Sequence, residues 1–114
     1  MSYSRGDVVL VRFPHSDLIT YRRRPALVVQ DETVHTGLDQ WLVIQITSNL
    51  QRVGETRVTV RKSTSAGKAM GLLMDSAIVA DNIATVLARE IDRVIGRCTI
   101  MREVNVALRK ILAL

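Results

Sequence analysis

The stretch Gly6-Asp7-Val8-Val9-Leu10-Val11-Arg12-Phe13 opens with a turn-forming pair and continues as an apolar run rich in β-branched residues. Such a run predicts a first β-strand over Val8–Phe13. Similar runs predict further strands over Pro25–Gln30, Trp41–Thr47, Thr56–Arg61 and Val94–Arg97. Two more strands are predicted over Ser76–Ala80 and Ile83–Val86, with Asp81–Asn82 forming a tight turn between them.

The apolar period changes near the C-terminus. Val104, Leu108, Ile111 and Leu112 recur at the spacing of one helix face, and Thr99 is suited to be the N-cap of that helix. The remaining segments, 14–24, 31–39, 48–55 and 62–75, are predicted to be loops. The fold class is therefore mainly β (α+β), a small, strongly curved antiparallel sheet or partly open barrel closed by one C-terminal helix.

Length and composition limit the possible classes of protein. The chain has 114 residues, of which 47% are hydrophobic, so we expect a single domain over residues 1–114 with a core of its own. No apolar run reaches the roughly 20 residues of a membrane helix, and the polar start up to Asp7 does not resemble a signal peptide. We therefore expect a cytoplasmic protein without membrane association. A single cysteine, Cys98, excludes an intrachain disulfide and is expected to be buried.

The charge balance points to a polyanionic partner. The formal net charge is +5, and thirteen of the sixteen basic residues are arginine. Arginine binds phosphate with two parallel hydrogen bonds, whereas lysine provides a point charge. Nucleic acid is the commonest polyanion that such a surface binds, although a solvated basic surface has the same composition.

Two clusters of polar residues adjoin predicted strands. Arg22, Arg23 and Arg24 precede Pro25, which favours an extended backbone at Arg24 and would hold that side chain at the rim of the sheet. The strand over Trp41–Thr47 ends in Thr47-Ser48-Asn49, whose hydroxyl and amide groups can hydrogen-bond a ligand. From the residues alone, an anion site and ordinary loop chemistry both remain open for each cluster.

Other kinds of site lack the residues they need. No glycine-rich phosphate loop is present, and His15 and His35 lack metal-ligand spacing to each other or to Cys98. The sequence therefore predicts neither a cofactor nor a metal site.

Five motifs that follow one another along the chain resemble those of the MazF/PemK toxin family. They are Gly6-Asp7 with its apolar strand and Phe13-Pro14; Arg24-Pro25 before a second apolar strand; Ile46-Thr47-Ser48-Asn49; Gly71-Leu72 followed by Ser76, Asp81 and Thr85-Val86; and Ile95-Gly96-Arg97 before the terminal helix. Each motif is short, but their order and spacing together are specific, and they extend from Gly6 to the C-terminus.

The resemblance implies an SH3-like barrel with a C-terminal helix and a homodimer that cleaves single-stranded RNA without a metal. It further implies an acidic antitoxin protein as partner. Arg24 and Thr47 correspond to the catalytic arginine and threonine of the family. Asp81 corresponds to an aspartate that some members use together with an arginine, but that arginine would fall at Val79, so Asp81 is expected to contact substrate or form a turn.

We further expect substrate contacts from residues that flank the two implied catalytic positions, Arg22, Arg23, Ser48 and Asn49, and from His15 and Ser16 in the first predicted loop. The general acid and base are not identified by the resemblance. His15 is a candidate because its imidazole titrates near neutral pH.

Two other functions share this predicted fold. One is a gyrase-inhibiting toxin of the CcdB kind, which acts by binding alone, and the other is a noncatalytic RNA-binding module. A fold by itself does not distinguish them from a ribonuclease.

Overall fold

The computed structural model describes residues 2–14 and 19–114. The described residues form six strands and two α-helices: β1 (Asp7–Pro14), β2 (Tyr21–Val28), β3 (Gln40–Thr47), β4 (Arg57–Val60), α1 (Ser65–Ala69), β5 (Ser76–Leu87), β6 (Ile91–Arg97) and α2 (Met101–Leu112). A 3₁₀ turn over Ala88–Glu90 joins β5 to β6. No helix among the described residues is long and apolar enough to cross a membrane.

All six strands belong to one antiparallel sheet in the order β4-β5-β3-β2-β1-β6. The predicted antiparallel sheet with a C-terminal helix is confirmed. Among the described strands, the hydrogen-bonded ladder does not close into a barrel, because β4 and β6 form its two edges.

The sheet buries a separate apolar cluster on each face, because successive side chains of a strand point to opposite sides. Val8, Leu27 and Ile44 pack in one cluster with Val104 of α2, and all four side chains are fully buried. The second cluster contains Val9 and Tyr3, and Trp41 packs against it. The rings of Tyr3 and Trp41 meet edge-on, with centroids 5.5 Å apart.

The predicted turn at Asp81–Asn82 is wrong, because β5 continues through these residues. The β3–β5 register shifts there: Ile44 pairs with Ile83, but the next residue, Gln45, pairs with Val79. The residues of β5 between these two pairs form a bulge in the strand, and side-chain hydrogen bonds to neighbouring segments hold the bulge in place. The Asp81 carboxylate accepts a hydrogen bond from the Thr56 hydroxyl at 2.8 Å, and the Asn82 amide donates to Gln45 at 2.7 Å.

The predicted helix start at Thr99 is also wrong. Strand β6 continues to Arg97, and the next amide, that of Cys98, donates to the Gly6 carbonyl at 2.8 Å, so the chain turns only at Thr99 and Ile100. Ile100 is the N-cap and provides no side-chain hydrogen bond. Cys98 is buried, as the sequence predicted. Along α2, Val104 and Leu108 are buried, whereas the last apolar residues of the predicted stripe, Ile111 and Leu112, extend past the sheet and are exposed.

The predicted loops also contain regular structure. The first part of β2, from Tyr21, lies in the segment predicted as loop 14–24, and α1 lies within 62–75. Helix α1 is too short for its periodicity to be detected, but Thr64 caps it by accepting a hydrogen bond from the Gly67 amide at 3.1 Å.

The turn after α1 is held against β6 by a glycine. Gly71 has a φ of +72°, and a Cβ atom at this position would lie 2.3 Å from the carbonyl oxygen of Ile95. Only glycine satisfies both the backbone conformation and the close approach. The contact fixes the position of the segment from Gly71 to Met74 relative to β6.

We expect Gly71→Ala to lower the free energy of unfolding by about 1–3 kcal/mol, because alanine is strained at positive φ and the β6 backbone would have to move. Urea denaturation followed by circular dichroism measures the loss. Gly54→Ala is the matched control, since a Cβ at Gly54 meets nothing within 4 Å. Equal effects of the two substitutions would contradict the close approach.

Candidate functional site

A cleft opens where β2 and β3 separate. The two strands pair only over three residues each, from Ala26↔Gln45 to Val28↔Val43. Beyond Ala26, β2 stays paired with β1, and beyond Gln45, β3 stays paired with β5. The space between the diverging ends forms a cleft of about 920 Å³, lined on one side by Arg22–Pro25 and on the other by Gln45–Asn49.

The cleft is strongly cationic. Its lining includes six arginines: Arg22, Arg23, Arg24, Arg52, Arg57 and Arg93. No carboxylate and no histidine lines it in the described part of the chain. Because low-dielectric walls concentrate the field of like charges, such a cleft attracts a polyanion.

The three consecutive arginines of β2 differ in their surroundings. Arg24 is half-buried, whereas Arg22 and Arg23 are exposed. Arg23 is paired with the Asp92 carboxylate, with 3.2 Å between Nε and Oδ2. Among the described residues no carboxylate is within ion-pair distance of Arg24. Arg24 thus lines the cleft without an ion pair to any carboxylate of the described residues.

Asp92 on β6 organises the arginines at one end of the cleft. Its Oδ1 accepts a hydrogen bond from Arg12 at 2.8 Å, and its Oδ2 lies 3.2 Å from Arg23 and 3.3 Å from Arg93. The hydrogen bond from Arg12, together with the charges of Arg23 and Arg93, lowers the pKa of the Asp92 carboxyl below its usual value. One carboxylate thus aligns two cleft arginines that belong to different strands.

The opposite wall presents hydroxyl and amide groups. The Thr47 hydroxyl oxygen accepts a hydrogen bond from the Asn49 amide at 3.1 Å, and the Asn49 side-chain oxygen accepts one from the Gln51 amide at 3.0 Å. These local turns hold Thr47, Ser48 and Asn49 at the end of β3 and leave the Thr47 hydroxyl hydrogen and the Asn49 NH₂ group able to donate.

The structure thus brings together most of the residues predicted from the sequence. Six of them line one cleft: Arg22, Arg23, Arg24, Thr47, Ser48 and Asn49. Asp81 does not line the cleft, and its carboxylate accepts the hydrogen bond from Thr56. A substrate contact by Asp81 therefore stays a prediction. His15 and Ser16 lie outside the described residues.

Sequence reasoning missed part of the lining. Arg52, Arg57 and Arg93 come from three separate segments, and Leu73 and Met74 come from a segment predicted as loop. The stretch 56–74 contains basic residues but no acid, and this is the signal that could have pointed to Arg57. No local pattern placed Arg93, because its position depends on the pairing of β6 with β1.

The chain matches one known family and the fold of several solved structures. Residues 4–112 match the family model described as PemK-like, MazF-like toxin of type II toxin–antitoxin system. A mycobacterial endoribonuclease in complex with its cognate antitoxin superposes with a TM-score of 0.74 at 23% identity, over 99% of this chain and 97% of that one. A comparison with curated protein sequences gave no match.

Two further structures are similar. The Mycobacterium tuberculosis toxin MazF-mt6 has a TM-score of 0.73 at 23% identity, over 95% of this chain and 97% of that one. A chain of the MazE–MazF structure from Deinococcus radiodurans has a TM-score of 0.77 at 18% identity, over 100% and 98% of the two chains. At these identities the superpositions establish a shared fold.

The Asp92 cluster predicts a specific pH dependence. A carboxyl whose pKa is lowered by folding stabilises the native state above its unfolded pKa, and that contribution disappears as the pH falls through the folded pKa. We expect the Asp92→Asn variant to have a lower free energy of unfolding than wild type at pH 7. The difference between the two should shrink as the pH falls below 3.8, the ordinary pKa of an aspartate carboxyl. Urea denaturation at a series of pH values measures it. A difference that does not change with pH would show that the carboxylate charge is not responsible.

Proposed function

Because the chain belongs to the family of PemK-like, MazF-like toxins of type II toxin–antitoxin systems, we propose that it is an endoribonuclease toxin that cleaves single-stranded RNA. The observation that carries the proposal is the arginine-lined cleft between β2 and β3, in which Arg24 and Thr47 lie on opposing walls. The fold neighbours that are themselves endoribonucleases support the same activity. Messenger RNA in the cytoplasm is the expected substrate.

The contents of the cleft favour catalysis over the two other functions that share the fold. A toxin that inhibits gyrase by binding needs no convergent arginine and hydroxyl groups. A noncatalytic RNA-binding module would use the arginines but would leave RNA intact. Incubation of purified protein with single-stranded RNA, with cleavage and binding both measured, distinguishes all three functions: the ribonuclease cleaves RNA, the binding module only binds it, and the gyrase inhibitor does neither.

We also propose that an acidic antitoxin neutralises this chain. Structures of similar fold have been solved with their antitoxins, among them the mycobacterial endoribonuclease complex and MazE–MazF. A net charge of +5 makes a segment rich in Asp and Glu a complementary partner. The homodimer implied by the family motifs stays a prediction.

In the proposed reaction the RNA supplies its own nucleophile. The 2′-hydroxyl attacks the adjacent phosphorus, the new O2′–P bond forms, and the P–O5′ bond breaks. The products are a 2′,3′-cyclic phosphate and a 5′-hydroxyl, so the proton lost by the nucleophile is balanced by the one that the leaving oxygen gains. Negative charge gathers on the nonbridging oxygens in the transition state.

Arg24 and Thr47 have complementary roles in this reaction. Arg24 stabilises the developing charge, because its guanidinium can donate to two phosphate oxygens at once. The absence of a carboxylate partner among the described residues leaves these donors available to the substrate. Thr47 positions the phosphate or the attacking hydroxyl.

We expect Arg24→Ala to reduce kcat by about 100- to 1,000-fold, the usual cost of removing one donor that acts in the transition state. Arg24→Lys should recover little, because lysine keeps the charge but loses the planar fork. Single-turnover cleavage of a labelled RNA measures both.

The neighbouring arginines provide the matched controls. Arg22→Ala and Arg23→Ala should mainly raise KM and flatten the salt dependence of binding, because these exposed side chains contact phosphates of the bound strand. Cleavage by Arg24→Ala at near the wild-type rate would refute the assignment of Arg24.

The identity of the nucleophile gives an independent prediction. Replacing the 2′-hydroxyl at the scissile nucleotide by hydrogen should abolish cleavage, while the oligonucleotide should still bind and inhibit competitively, because most contacts are to phosphates and bases. A chelator should leave activity unchanged. Cleavage of the deoxy-substituted strand would show that water attacks instead.

A further inference from the structure

Two large apolar side chains lie exposed at the mouth of the arginine-lined cleft. Leu73 is 88% exposed and Met74 is 59% exposed, and both line the cleft. Exposed apolar side chains are ordinary when they are scattered, but these two are adjacent and share one cleft with six guanidinium groups. Their position therefore suggests a ligand that is both anionic and apolar.

The segment that carries these side chains is held on both sides. On one side, Gly71 packs against the β6 backbone, and the Leu72 amide donates to the Gly67 carbonyl at 3.1 Å. On the other side, the Ser76 hydroxyl donates to the Met74 carbonyl at 2.8 Å. The Asp75 carboxylate accepts a hydrogen bond from the Lys62 amide at 2.9 Å. The exposure of Leu73 and Met74 is therefore built into the fold, and binding an apolar group there requires little ordering.

The rest of the lining supplies the groups that a nucleotide needs. The arginines suit its phosphate, and the side-chain NH₂ groups of Gln45 and Asn49 can donate hydrogen bonds to the edge of a base. A base that has left its stack also presents an apolar face, for which Leu73 and Met74 offer a surface. An acidic peptide could also use the arginines, but its acidic and apolar groups belong to different residues, whereas one nucleotide carries a phosphate, a hydrogen-bonding edge and an apolar face together.

We propose that Leu73 and Met74 form a seat for one unstacked RNA base next to the phosphate held by the arginines, and thereby contribute to the choice of cleavage site. The inference rests on the proposed function for its ligand, single-stranded RNA. It adds a subsite formed by the segment between α1 and β5, which sequence motifs did not indicate.

A binding experiment tests the seat without relying on cleavage. The probe is a fluorescein-labelled single-stranded RNA selected from a random pool for affinity to the wild-type chain, with the 2′-hydroxyl removed at any cleaved position. A series of probes each carries one abasic nucleotide, and fluorescence anisotropy gives their affinities. For the wild type, one abasic position should weaken binding about tenfold, the usual scale of a lost base contact.

The variants Leu73→Ala and Met74→Ala locate that position. Each substitution should weaken binding of the intact probe severalfold. With the probe that lacks the seated base, the same substitution should weaken binding little further, because the two changes remove the same contact. At every other abasic position, the effects should multiply. In cleavage of the random pool, the same variants should relax the base preference at one position. Leu114→Ala is the matched control, since Leu114 is 84% exposed and does not line the cleft.

The possible outcomes separate the base seat from the proposed function. If the coupling is observed but the wild-type chain cleaves no RNA, the base seat is supported and the proposed ribonuclease activity is refuted. A chain that cleaves RNA but shows no coupling between Leu73 and any base would refute the seat. The seat would also be refuted if Leu73→Ala left RNA binding unchanged but weakened binding of the antitoxin, or if it shifted the sedimentation coefficient, since Leu73 would then contact a protein.

Discussion

The short ladder between β2 and β3 is the constraint on which the rest of the site depends. Strands in one sheet normally pair along their length, because unpaired backbone groups must otherwise find water or side chains. Here pairing stops at Ala26 and Gln45. Pro25 lies directly outside the last pair, and proline has no N–H to donate to a ladder. The separation converts the middle of a sheet into a cleft whose two walls are the ends of strands.

Concentrating six arginines around this cleft has an electrostatic cost, since like charges repel. The cost is limited because most of these side chains are exposed and their charges are screened by solvent. Asp92 offsets part of it at one end by aligning Arg23 and Arg93. Arg24 has no such partner among the described residues, so the largest electrostatic gain on binding a phosphate is expected there. The same arrangement explains why an anion should bind at the separation of the strands rather than elsewhere on a basic surface.

The segment between α1 and β5, which also lines the cleft, is held in place by backbone packing. Glycines at 71 and 96 allow this segment to approach β6, because a Cβ atom at either position would lie 2.3–2.4 Å from a backbone atom of the other element. That approach places Leu72 in the core while Leu73 and Met74 stay at the mouth of the cleft. The close packing and the proposed base seat therefore depend on the same few residues.

Local sequence patterns predicted a large part of the secondary structure of this protein. The ordered motifs implied a joint role for Arg24 and Thr47 only through their resemblance to a known family. Apart from that resemblance, alternating and continuous apolar runs identified most strands, and the change of period identified α2. These inferences succeeded because strand propensity and helix periodicity act over a few residues.

Tertiary structure alone decided the continuity of β5, where the ladders to β3 and β4 override the turn tendency of Asp81 and Asn82. It also brought Arg93 beside Arg23 through the strand pairs that β1 forms with β2 and β6, and it placed Leu73 at the mouth of the cleft. The physical reason is that these positions depend on pairings between residues distant in the chain, which no local pattern of side chains encodes.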